Sequence, residues 1–291
     1  MSTLVTLVLA LAVLNSPPAQ RITITAAARS IQPGELVVLT IVTPSPVTEV
    51  RVRAFTRDWQ PFRVDARRWR VLVGIDLDIA PGTYEVAVET GAGPTAAAIY
   101  PLVVKPRVFR TRHLTVREGF VNPPAEVTAR IQEEAALLDG IWRSSASEKL
   151  WTGAFVRPVP DRANSAFGTR SVYNGQPRSP HGGADFQSAA GRRIKAPNAG
   201  RVVLARDLYF TGNTVVIDHG LGLFSLLAHM SAFDVREGDV VAAADLVGRV
   251  GATGRVTGPH LHWTVRAGDA RIDPLSLLAV LGPKVPKRNT K

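Results

Sequence analysis

Cysteine is absent from all 291 residues. That absence removes a disulfide scaffold, a thiolate-bound metal and a cysteine nucleophile together. Any metal must therefore sit on His, Asp or Glu. Long apolar runs are also scarce. The longest, Leu4 to Leu14, is broken only by Thr6. As a helix it would reach roughly 16 Å, about half a bilayer core. Pro17, Pro18 and Ala19 follow, so residues 1–19 read as an export signal rather than a membrane span, although no Lys or Arg precedes the run. The expected location is periplasmic or extracellular. Acidic residues are few, 24 against 35 basic ones, for a net charge of +11. This balance favours anionic partners such as wall polymers or a membrane surface. No nucleic-acid reader motif accompanies it, which excludes that class of partner. The basic tail, 283–291, carries Lys284, Lys287, Arg288 and Lys291.

What is present is mostly β patterning. Val50, Val52 and Ala54 alternate with Glu49, Arg51 and Arg53, and Tyr84, Val86 and Val88 alternate with Glu85, Ala87 and Glu89. Period 2 with one polar face predicts strands. Turn signals at Pro33-Gly34, Pro44-Ser45-Pro46 and Pro81-Gly82 separate them. Residues 20–105 thus predict an immunoglobulin-like β-sandwich. This segment contains no histidine and reads as a spacer or binding module. Residues 106–150 predict a connector with a helix that starts at Pro123, capped by Asn122. Val127, Ile131, Leu138 and Trp142 fall near one face of it, which predicts packing across both halves. Residues 151–282 predict a glycine-rich β domain with strands at 201–205, 214–219, 224–229, 246–250 and 260–265.

Six histidines occur, and five lie between 181 and 262. His113 stands apart and reads as structural or exposed. His260 and His262 sit two apart in a predicted strand, so they share a face while Leu261 turns inward. Two imidazoles that close each need a partner and repel once protonated, and a shared metal resolves both difficulties. His181 and Asp185 flank Gly182-Gly183, a spacing a loop or strand could bring to one point. His229 ends an apolar stretch, and His219 follows another; for each, a packed strand residue is as good a reading as a functional one.

The order of these motifs resembles the lysostaphin/LytM-like zinc endopeptidases of bacterial cell walls. The resemblance covers about 155–276. It runs through Phe167-Gly168-Thr169-Arg170, the His181 motif, Gly248 to Trp263 and Ile272-Asp273-Pro274. It implies one zinc per chain held by His181, Asp185 and His262, with His229 and His260 flanking the catalytic water. Three protein ligands leave a fourth position open, as in catalytic zinc sites. One of His229 and His260 moves the proton and the other stabilises the oxyanion, an assignment the sequence leaves open, and the resemblance implies a peptidoglycan stem peptide or cross-bridge as substrate. Leu227, Val256 and Thr264 depart from the residues common at their positions; none is a ligand. The alternative is a non-catalytic wall-binding protein or a regulator of other wall hydrolases.

Overall fold

Alternation decides the first half. In strand β3 (Glu49–Ala54) every second residue is buried and the intervening charges face solvent. The neighbouring strands are β1 (Thr23–Ala27), β2 (Leu36–Val42), β4 (Arg57–Trp59), β5 (Phe62–Arg63), β6 (Arg68–Gly74), β7 (Gly82–Gly91) and β8 (Ala97–Val104). They form two four-stranded sheets, ordered β1-β2-β6-β5 and β4-β3-β7-β8. Leu39, Ile41, Val71 and Val73 of one sheet and Val52, Val86, Val88 and Leu102 of the other belong to one buried cluster. The computed structural model describes residues 21–91, 96–115, 121–163 and 167–283. The export signal expected over 1–19 and the lysines and arginine of the basic tail lie outside the described residues.

The connector differs from its expectation in three ways. Strand β9 (Thr111–Leu114) pairs in parallel with a strand of the second half, so residues 111–114 join a sheet instead of linking two units. Helix α1 runs Thr128–Arg143 behind a 3-10 turn at Ala125–Val127, and Val127 rather than Asn122 is its N-cap. Pro124 explains the late start, because the residue before a proline is pushed out of the helical region. The helix does not bridge the halves. Its buried Ile141 and Trp142 join Leu204, Leu208, Val216, Phe224, Leu226 and Ala228, all from the second half.

There, β9 continues into a three-stranded sheet with β10 (Arg170–Tyr173) and β11 (Gln176–Pro177). A nine-stranded sheet follows. Its strands are β12 (Gly183–Phe186), β13 (Arg193–Lys195), β14 (Gly200–Leu208), β15 (Gly212–Asp218), β16 (Leu223–Phe233), β17 (Val240–Val241), β18 (Leu246–Val250), β19 (Leu261–Ala267) and β20 (Ala270–Ile272). Helix α2 (Pro274–Leu281) is the last element of the described residues, with the Asp273 side chain accepting from Leu275 N at 3.0 Å as its cap. No helix of the described residues is long and apolar enough to cross a membrane.

The two halves share one core cluster. Leu36 N donates to Ser276 Oγ at 2.9 Å in the buried seam. Asp273 and Glu35, each 1% exposed, meet Arg29 and Arg107 there. Gly34 (φ 84°) turns where a Cβ would strike the Phe167 ring at 2.3 Å, so the Pro33-Gly34 turn permits this docking as well as the chain reversal.

Candidate metal centre

Strand register brings the site together. In the antiparallel pair β12–β19, Asp185 lies opposite His262. Leu261 and Trp263 are fully buried while His262 and Thr264 face the other way at intermediate exposure. His260 sits one residue before β19, bridged to Gly251. His181 lies two residues before β12. Its backbone N donates to Thr169 O at 3.0 Å and its carbonyl accepts from Gly168 N at 2.7 Å. The Phe167–Arg170 stretch therefore holds His181 in place. Gly183 is needed for close approach: a Cβ there would meet Trp263 O at 2.5 Å and the His262 ring at 2.7 Å.

His229 reaches the site from β16, which runs past the predicted end at 229 to Phe233. The register with β15 shifts between Asn213↔Met230 and Val215↔Leu227, so Ala228 and His229 oppose one residue. This is a β-bulge, a device that re-aims a side chain. His229 takes φ 63°, the left-handed region, which costs a non-glycine residue about 1–3 kcal/mol.

Three donor atoms converge. His181 Nε2 lies 3.0 Å from His262 Nδ1 and 3.1 Å from Asp185 Oδ1, and His262 Nδ1 lies 2.8 Å from Asp185 Oδ1. Burial opposes ionising Asp185, but hydrogen bonds from His181 and then His262 overcome it and hold the carboxyl well below the usual carboxylate range. Burial lowers the His262 pKa. Two ring nitrogens facing each other beside an ionised carboxylate are a donor set for a cation, and two imidazoles with one carboxylate suit zinc. Among the described residues, His181 Nδ1 is buried and meets no hydrogen-bond partner. Its ring is aimed by its backbone and by the triad. The far nitrogen of His262, Nε2, lies 2.9 Å from Thr264 Oγ1. With a cation at Nδ1, Nε2 carries the proton and donates to that hydroxyl.

His229 and His260 lie with ring centroids 4.8 Å apart, and His229 is 5.8 Å from His262. His229 Nδ1 donates to Thr253 O and His260 Nδ1 to Gly258 O, each at 2.9 Å. A carbonyl only accepts, so Nδ1 carries a proton in both rings. Burial, then the charge of His262, pushes the His229 pKa down to about 3. His219 is not part of this group. It is buried, with Nδ1 donating to Ala199 O at 2.8 Å and Nε2 accepting from Ser225 Oγ at 2.9 Å. It is a packed residue one position past the end of β15. His113 is exposed on β9.

A cleft of about 500 Å³ contains the five clustered side chains, and Arg112, Tyr173, Phe210 and Arg255 also line it. Sequence reasoning gave no role to Thr253, Thr264, Arg112 or Arg255. Thr264 was legible only as a departure from the common residue, and Thr253 acts through its carbonyl, which residue identity does not mark.

Residues 179–274 match peptidase family M23. The chain is 30% identical over 170 residues to the peptidoglycan DD-endopeptidase ShyA of Vibrio cholerae, covering 57% of this chain and 38% of that protein. It is 37% identical over 97 residues to the DD-carboxypeptidase/endopeptidase Mpg of Neisseria meningitidis, covering 33% and 22% respectively. It thus spans well under two thirds of either relative. A solved structure from Pseudomonas aeruginosa, described as a peptidase M23, is 31% identical and superposes with a TM-score of 0.68, covering 87% of this chain and 97% of that one. With that likeness extending along nearly all of a solved relative, and the match falling on the segment that carries the histidine cluster, the chain belongs to peptidase family M23.

Proposed function

We propose that the protein is a zinc endopeptidase that hydrolyses peptide cross-links in bacterial peptidoglycan. The carrying observation is the convergence of His181 Nε2, Asp185 Oδ1 and His262 Nδ1 to about 3 Å beside His229 and His260, each with Nδ1 held on a backbone carbonyl. The names of the relatives, peptidoglycan DD-endopeptidase and DD-carboxypeptidase/endopeptidase, supply the substrate class. His181, Asp185 and His262 hold the zinc, one per chain. The ion supplies Lewis acidity toward the scissile carbonyl and toward water.

The chain's own residues do the rest. His260 Nε2 takes a proton from the attacking water and delivers it to the leaving amine. While it holds that proton, its Nδ1–H stays on Gly258 O, which fixes the ring. His229, whose Nδ1–H is committed to Thr253 O, offers Nε2 as an acceptor that orients the water. Its neutral form has no second N–H for an oxyanion, so of the two roles left open by the sequence the oxyanion one would require a protonated ring, which burial opposes. A non-catalytic regulator would have no need of two oriented histidines beside an intact donor set.

The finer organisation belongs to the same proposal. Residues 20–105 form an immunoglobulin-like module, a reading supported by the strand order β1-β2-β6-β5 against β4-β3-β7-β8, with the edge-to-centre order of the ABED and CFG sheets. The peptidase unit is 151–282. Residues 1–19 direct export, consistent with a substrate outside the cytoplasm, and the excess positive charge favours contact with anionic wall polymers. Sacculi of several chemotypes incubated with the zinc-loaded protein, with released fragments identified by mass spectrometry, test the function. Cleavage at a peptide cross-link is expected. Intact sacculi of every chemotype would overturn it.

A further inference from the structure

The His229 ring is oriented by a backbone carbonyl, which any residue could supply. What fixes that carbonyl is the side chain of the residue that carries it. Thr253 O accepts from His229 Nδ1 at 2.9 Å. Thr253 Oγ1 donates to Met230 O at 2.8 Å, on the residue after His229. The same Oγ1 accepts from Asn213 N at 2.9 Å. Asn213 and Met230 are the opposed residues that border the bulge carrying His229. The hydroxyl therefore ties β15 to β16 where the bulge disrupts their own ladder. A second loop meets the first there. Thr211 O accepts from His229 N, and Phe210 O accepts from Arg255 N, each at 2.9 Å. The two loops touch backbone to backbone, since a Cβ on Gly254 would meet Gly212 N at 2.4 Å. His229 is thus held by its backbone on one loop and by its ring on the other, at a φ of 63°. A non-glycine residue persists in that region only where its surroundings over-determine it. Thr253 Oγ1 contributes to that determination from both strands at once.

We propose that Thr253 is a positioning residue whose hydroxyl locks the bulge and so aims the His229 ring into the cleft. A hydroxyl suits this place because it donates and accepts together, as the Met230 carbonyl and the Asn213 N–H require. Valine has nearly the same shape and does neither, whereas serine does both. This inference rests on the endopeptidase reading above and names a residue that acts in it through His229.

The test compares Thr253→Val and Thr253→Ser with the wild type, as zinc-loaded full chains cutting a soluble cross-linked peptide. Thr253→Val is expected to lower kcat about 10–100-fold while KM changes less than about twofold, because a catalytic group misplaced by about 1 Å costs that much. Thr253→Ser is expected to recover most of the lost kcat. In a His229→Ala background the Val substitution is expected to lower kcat no further, since residues that act as one unit are not additive. Wild-type kcat per folded molecule in Thr253→Val, or an equal fall with and without His229, overturns the proposal. Nitrogen NMR of histidine-labelled chains, with the His229 signals assigned by their loss in His229→Ala, reads the same point without turnover. The wild type is expected to show the His229 proton on Nδ1, and Thr253→Val a mixture of tautomers. Unchanged His229 signals in Thr253→Val overturn the positioning role. If the wild type cuts nothing, the endopeptidase reading fails, and these spectra decide the role of Thr253 separately.

Discussion

At the scale of single residues, Thr264 and His219 show two ways a polar group is satisfied beside or away from the site. Thr264 Oγ1 lies on the far nitrogen of His262 and fixes which ring nitrogen faces the triad. Removing such a partner lowers metal affinity about 10–100-fold. Thr264→Val is expected to do so in a chelator competition, and Thr264→Ser to restore it; a Val variant with wild-type affinity would remove the hydroxyl from the account. His219 acts on stability instead. Burial pushes its pKa from 6.5 down to about 4. The unfolded chain therefore binds a proton that the folded one refuses between those values. Its contribution is full above about pH 6.5 and is lost as pH falls to about 4, amounting to about 3 kcal/mol. Urea melts across that window should show the fall, and His219→Asn should flatten it. Residue identity made the four clustered histidines and Asp185 legible because imidazole and carboxylate chemistry resides in the side chain. It separated His219 from His229 no further than two equal readings. That distinction depends on a bulge and on which carbonyls lie within reach, and both are products of tertiary register.

At the scale of elements, period 2 was a sound guide. The predicted strand at 246–250 is β18, and those at 201–205, 214–219 and 224–229 fall on β14, β15 and β16. Their ends were less legible, because β16 continues through His229 on the strength of cross-strand partners that the local pattern does not contain. The helix start was missed by five residues' worth of proline geometry, between the expected Pro123 and the observed Thr128. The β12–β19 pair is the element on which the site depends most. Gly183→Ala places a methyl against Trp263 O and the His262 ring. Backbone cannot yield as a side chain does, so about 1–3 kcal/mol of stability is expected to go, and zinc affinity to fall at least about tenfold as His262 is displaced. A Gly183→Ala protein that melts and binds zinc as the wild type does would show that the close approach is not required.

At the scale of the whole molecule, the halves are joined more firmly than a spacer and an enzyme need to be. No local pattern revealed this, because Glu35 and Asp273 read as ordinary surface acids until the fold buries them between Arg29 and Arg107. Removing one partner of a buried ionic group strands the others and costs about 3–5 kcal/mol. Asp273→Ala, which also removes the cap of α2, is expected to lose at least that much in denaturant unfolding while the mutated residue touches none of the proposed ligands. A loss under about 1 kcal/mol would mean that the seam contributes little beyond apolar contact. The central claim, one zinc held by His181, Asp185 and His262 with His229 and His260 acting beside it, is tested most directly by zinc content across three variants. Purified His262→Ala is expected to lose its zinc. Purified His260→Ala and His229→Ala are expected to keep about one zinc per chain, with turnover on sacculi lowered by about 10²–10⁴-fold. Zinc lost from His260→Ala and retained by His262→Ala would reverse the ligand assignment, and zinc retained by all three would contradict the site.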